Sequence, residues 1–111
     1  MASRQVASNR VGPKPARAIK PHADKAALLL KALANEQRLL VLCNLLEGPL
    51  SVGELNERVS LSQSALSQHL GVLREANIVT TTREAQSIRY AISSGAVTRI
   101  IEILYKEFCE I

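Results

Sequence analysis

Apolar residues recur along this chain at helical spacing, then in alternation, then at helical spacing again. Ala26, Leu29, Leu30 and Leu33 share one side of a helix expected from about Ala23 to Ala34. Asn35 is placed to cap a second helix, Glu36 to Glu47, with Glu36 at the positive end of its dipole. The apolar stripe of that helix reads as Leu39, Leu42, Cys43 and Leu46, and Gly48-Pro49 ends it. Ser51-Val52-Gly53-Glu54 has the form of a capping box, with Leu50 and Leu55 spaced as a hydrophobic staple. It predicts a short third helix ending near Val59. Ser62 caps a fourth, in which Leu66, Leu70 and Leu73 fall at i, i+4 and i+7.

After Asn77 the period changes. Ile78-Val79-Thr80-Thr81-Thr82 is β-branched throughout, and Ile88, Tyr90 and Ile92 alternate with Arg89 and Ala91. A polar turn from Arg83 to Ser87 would close these strands into a hairpin, with Arg83 near the tip and Arg89 on the outward face. Ser93 or Ser94 starts a last helix carrying Val97, Ile100, Ile101, Leu104, Tyr105 and Phe108. Its stripe is wide for the end of a small domain, so the first and last helices together could supply a dimer seam. The predicted fold is mainly α with a small β-hairpin, in the order ααααββα. It is a helix-turn-helix followed by a two-stranded wing, in a single domain over residues 22–111.

The fourth helix carries the most specific chemistry. Gln63, Ser64, Ser67 and Gln68 lie away from its leucine stripe, and no acidic residue occurs from Leu61 to Arg74. Gln can pair bidentately with an adenine edge, and Ser can serve donors or acceptors in a major groove. A solvated face would ordinarily carry Glu and Lys, so this face suits DNA better; taken alone, a plain polar surface reads almost as well. A wing directly after a reading helix places Arg83 and Arg89 to meet phosphate or a minor groove. His69, at the edge of the same helix, reads as a phosphate or scaffold contact and not a metal ligand.

Charge sharpens this picture. The 111 residues carry a net charge of +4, and 47% are hydrophobic, enough for one core. Residues 1–21 hold Arg4, Arg10, Lys14, Arg17 and Lys20 with no acid, and three prolines, which reads as a disordered basic tail. The remainder is close to neutral. No stretch has the form of a secretory signal or a membrane span, so a cytoplasmic protein is expected.

The words Lys31-Ala32-Leu33-Ala34-Asn35-Glu36-Gln37-Arg38-Leu39, Leu50-Ser51-Val52-Gly53-Glu54-Leu55 and Ser62-Gln63-Ser64-Ala65-Leu66-Ser67-Gln68-His69-Leu70, with Arg89-Tyr90, resemble the ArsR/SmtB family of bacterial winged-helix repressors. The resemblance runs from about Asp24 to Cys109. It implies a homodimer built from the first and last helices, bound to an inverted repeat in double-stranded operator DNA. The two reading helices would enter major grooves about 34 Å apart. It further implies no enzyme activity and no resident cofactor. An inducer would displace the DNA-competent state only by as much as it prefers the other conformation.

The family's metal sensors use a Cys-Val-Cys word on the third helix or histidines on the last. Here Ser51, Val52 and Gly53 stand in the first place, and the last helix has no histidine. Thiolate and imidazole are what borderline metals select, so no metal site is expected. Two cysteines remain, Cys43 and Cys109. On residue chemistry alone they read as structural: Cys43 sits on an apolar stripe, and Cys109 lies at a helix C-terminus, which disfavours thiolate. The resemblance is greatest to the SqrR/BigR/HlyU-type subgroup, which shares a cysteine on the second helix and one near the end of the last. It implies that Cys43 and Cys109 form a dithiol within one protomer that senses persulfides or other oxidants. A metal or small-molecule inducer with structural cysteines is the alternative.

Overall fold

The computed structural model describes residues 14–109. Residues 1–13, with most of the basic tail, lie outside it. By its internal contacts the chain divides after Leu30.

The first part contains α1 (Pro15–Ile19), a 3-10 turn (Lys20–His22) and most of α2 (Ala23–Leu33). The expectation of a disordered tail through residue 21 does not extend to Pro15–His22, which are helical. Pro15 and Pro21 each stand at the start of a helical turn. A missing N–H is harmless there and the fixed φ is already helical, so proline opens these turns instead of breaking them. Leu28 and Leu30 on α2 are exposed.

The second part runs α3 (Glu36–Leu45), β1 (Leu50–Ser51), α4 (Val52–Arg58), α5 (Gln63–Glu75), β2 (Val79–Glu84), β3 (Ser87–Ile92) and α6 (Gly95–Phe108). Each helix starts where a cap was expected. The Asn35 side chain accepts from the N–H groups of Gln37 and Arg38, and those of Ser62 and Ser94 accept from Ala65 and Val97. Ser51 and Glu54 form a reciprocal capping box. Asn77 takes φ 61° between α5 and β2, a left-handed conformation that Asn tolerates better than most residues.

The core gathers Val41, Leu42 and Leu45 of α3, Leu55 of α4, Leu66, Leu70 and Leu73 of α5, then Ile78, Val79, Val97 and Ile101. Helix α3 is its hub, touching α4, α5, β3 and α6. Its buried stripe is rotated from the expected one. Leu39 and Leu46 are only half-buried, and Cys43 is exposed instead of lying in the core. The reason is that α3 is enclosed on the side of Val41 and Leu45, while the Cys43 side is left to α6 alone.

The wing is longer and tighter than expected. Its strands pair antiparallel from Val79–Ile92 to Glu84–Ser87, so only Ala85 and Gln86 turn the chain. The alternation in β3 does not correspond to burial: Ile88 is exposed and Tyr90 and Ile92 are half-buried. The wing also gains a third strand that the sequence pattern does not reveal, since β1 pairs with β3 through Leu50–Tyr90 and Ser51–Arg89. No helix among the described residues is long and apolar enough to cross a membrane.

Candidate DNA interface and thiol pocket

Gln63, Ser64, Ser67 and Gln68 all project from α5 into solvent. Ser64, Ser67 and Gln68 lie on the side away from the fully enclosed Leu66, Leu70 and Leu73, whereas Gln63 is exposed in the first turn, in line with Leu70 seven residues on. Gly71 shares the side of Ser64, Ser67 and Gln68, and a Cβ built there would meet nothing within 4 Å. Exposed glycine in a helix costs about 1 kcal/mol relative to alanine, and no neighbouring atom within the protomer requires glycine here. The Asn56 amide donates to the Leu61 carbonyl at 2.8 Å, holding the turn that sets α4 against α5.

His69 is held from behind. Arg38 of α3 donates through Nε to the Ala32 carbonyl at 2.7 Å and through Nη1 to His69 Nδ1 at 3.3 Å. A guanidinium has no acceptor, so Nδ1 must offer its lone pair and a neutral His69 ring carries its proton on Nε2. Arg38 was missed as a functional residue. Its signal was available: no acidic residue lies three or four positions away to pair with it along the helix, so its partner had to be tertiary.

The two wing arginines differ. Arg83 is exposed near the tip. Arg89, expected to face outward, is engaged within the fold. Its Nε donates to Glu84 Oε1 at 2.9 Å, and its Nη1 to Glu54 Oε1 and the Pro49 carbonyl, each at 3.2 Å. The wing is thereby tied to the first turn of α4. The bond from the Ser51 N–H lowers the Glu54 pKa most; desolvation opposes it, and Arg89, the Ser51 side chain and Arg58 each add a smaller lowering.

A carboxylate held low contributes stabilisation that is complete above its ordinary pKa of about 4.3 and is lost as pH falls through the lowered value. The Ser51 amide proton shift is therefore expected to titrate with a midpoint below about 4.3, and Glu54→Gln to abolish the step. A midpoint at or above that value would contradict this reading of the link.

Cys43 and Cys109 are brought together. Both line one cavity of about 220 Å³ between α3 and α6, walled otherwise by Leu39, Ile101, Leu104, Tyr105 and Phe108. Both cysteines are free thiols. The Cys43 pKa is raised, first by partial burial and then by the neighbouring Cys109. Among the described residues no group of three or more His, Cys, Asp or Glu side chains could hold a metal ion.

A capped helix-turn-helix, an acid-free reading face and an arginine-bearing wing define a winged-helix DNA-binding regulator. Residues 35–81 match the family described as bacterial regulatory protein, arsR family, and the chain belongs to that family. It is 55% identical over 86 residues to the transcriptional activator HlyU of Vibrio cholerae, covering 78% of this chain and 80% of the relative. The structure of reduced HlyU superposes with a TM-score of 0.78 at 50% identity, covering 84% of this chain and 98% of that one. A biofilm growth-associated repressor of Agrobacterium fabrum is 46% identical over 99 residues, covering 89% of this chain and 85% of the relative. The homodimeric winged helix-turn-helix DNA-binding domain of Mb0332 from Mycobacterium bovis matches with a TM-score of 0.70 at 27% identity, each chain covered over 84%. The chain is thus a transcriptional regulator of the HlyU-like part of the family, and not an enzyme.

Proposed function

We propose that this regulator is a cytoplasmic homodimeric repressor that holds an inverted-repeat operator when its thiols are reduced. It releases the operator when Cys43 and Cys109 are bridged by sulfur. The observation that carries this reading is the shared pocket: the two cysteines of the chain, 66 positions apart in sequence, line the same small cavity between α3 and α6. A bridge there ties the helix at the hub of the core to the last helix. Because α3 also holds His69 through Arg38, a shift of α3 is felt directly at the reading helix.

In the bound state Gln63, Ser64, Ser67 and Gln68 read base edges, the Nε2–H of His69 and the Arg83 guanidinium meet phosphate, and Arg89 fixes the wing against α4. Arg38 is a positioning residue, acting through His69. The exposed Ile103, Tyr105 and Phe108 of α6 supply an apolar face suited to a dimer seam, in keeping with the homodimeric Mb0332 domain. Cys43→Ser and Cys109→Ser are expected to leave DNA affinity of the reduced protein unchanged.

The test is intact-protein mass spectrometry under denaturing, non-reducing conditions, after treating the reduced protein with an alkyl persulfide or with hydrogen peroxide. A bridged species carrying extra sulfur, formed with persulfide and lost in either serine variant, is the expected result. Two independently modified thiols that never join would overturn the dithiol reading.

A further inference from the structure

We infer that the pocket selects its sulfur donor by polarity, favouring uncharged, apolar persulfides over donors that carry a carboxylate. This rests on the dithiol reading above and extends it to the substrate class of the same site. Apart from the thiols, the pocket wall is made of leucine, isoleucine and aromatic side chains, with no charged or amide group lining it among the described residues. The charged neighbours on α6, Glu102, Lys106 and Glu107, do not line it. A carboxylate entering such a site would lose water and gain no partner, whereas each methylene that enters is worth roughly four-fold in affinity. The cavity of about 220 Å³ is several times the ~30 Å³ that a water occupies in the liquid, so a short alkyl chain fits beside the thiols. Partial burial of Cys43 adds to the same preference, because a partly dry thiolate tolerates a neutral reagent better than an anionic one.

The chemistry closes without a further oxidant, since the sulfane sulfur of the donor R–S–SH is itself reduced. A Cys43 thiolate, its proton lost to water, attacks the outer sulfur and displaces RS⁻, leaving Cys43–S–SH. A second donor extends this to Cys43–S–S–SH with loss of a second RS⁻. The Cys109 thiolate then attacks the middle sulfur and expels HS⁻. The product is a trisulfide, and the balance is one dithiol and two RSSH giving one trisulfide, two RSH and one H₂S. Attack of Cys109 on the first persulfide instead gives a plain disulfide and H₂S after one donor.

The test compares propyl persulfide with its carboxylate counterpart of matched length, the persulfide of 3-sulfanylpropanoate, on the full-length reduced protein. The rate of first sulfur addition is read by mass spectrometry and divided by the rate of the same donor with the urea-unfolded chain, which removes intrinsic reactivity. The normalised rate is expected to favour the propyl donor by at least about ten-fold, as an unpaired charge in an apolar site is disfavoured.

Leu39→Lys places a cation on the α3 wall of the pocket, at a half-buried position outside the apolar face of α6, and far-UV circular dichroism verifies that the variant is folded. That variant should bring the ratio towards one or invert it. Equal normalised rates in the unsubstituted protein, or a faster carboxylate donor, would overturn the inference. Because first addition is scored separately from bridging, a polarity preference without any bridge would contradict the dithiol reading and leave this one standing.

Discussion

Replacing Gln63 and Gln68 together with alanine is expected to abolish most sequence discrimination while leaving non-specific DNA binding in place. Both side chains stand free in solvent on α5, so neither is needed for folding. A bidentate contact from glutamine to adenine discriminates by roughly 1–3 kcal/mol, about five- to 150-fold per position. Phosphate contacts supply the remaining affinity and carry no base information. The measurement is fluorescence anisotropy at one fixed salt concentration, on a duplex that the protein selects from a random pool and on a scrambled control. The gap between the two should collapse in the double variant. Arg83→Ala should behave differently, weakening both duplexes alike and reducing the slope of log affinity against log salt by about one. An unchanged gap in the glutamine variant would remove α5 from base reading.

Leu42→Ala is expected to cost about 2–5 kcal/mol of stability, a large share of the 5–15 kcal/mol typical of a native domain. Leu42 has no exposed surface and belongs to the helix that touches α4, α5, β3 and α6. Truncating it leaves a void that four elements would have to close at once, and each is held by its own cap or strand pairing. Urea unfolding followed by circular dichroism reads the loss as a lower midpoint with an unchanged slope. Leu40→Ala, two residues before Leu42 and so on the exposed side of the same helix, should change the midpoint little. A small effect at Leu42 would mean that α3 is not the hub of the core.

What could be read in the sequence was local. Helix starts were legible because a cap and its target lie three residues apart: Ser51 with Glu54, Ser62 with Ala65, Ser94 with Val97. The reading face of α5 was legible because a leucine stripe at i, i+4, i+7 leaves only one face for the polar residues. Features that depend on the meeting of distant segments were hidden. Strand β1 is two residues long and exists only because β3 passes beside it. The outward-facing Arg89 of the sequence pattern is drawn in by Glu54, 35 positions away. Cys43 falls on an apolar stripe, yet it is exposed to a pocket because burial on α3 is decided by how four neighbouring elements surround it. Arg38 and His69 are separated by 31 positions, and only the fold makes them a pair. The pairing of the two cysteines in one pocket was legible through family resemblance alone, since residue chemistry favoured structural roles for both.

The most direct test of the account is the DNA affinity of the reduced protein against that of the same protein after its thiols have been bridged by an alkyl persulfide, measured on the selected duplex at fixed salt. The account predicts tight binding when reduced, loss of specific binding on bridging, recovery with a thiol reductant, and retained binding in persulfide-treated Cys43→Ser or Cys109→Ser. A fully bridged protein, verified by mass, that binds the duplex as tightly as the reduced one would contradict it.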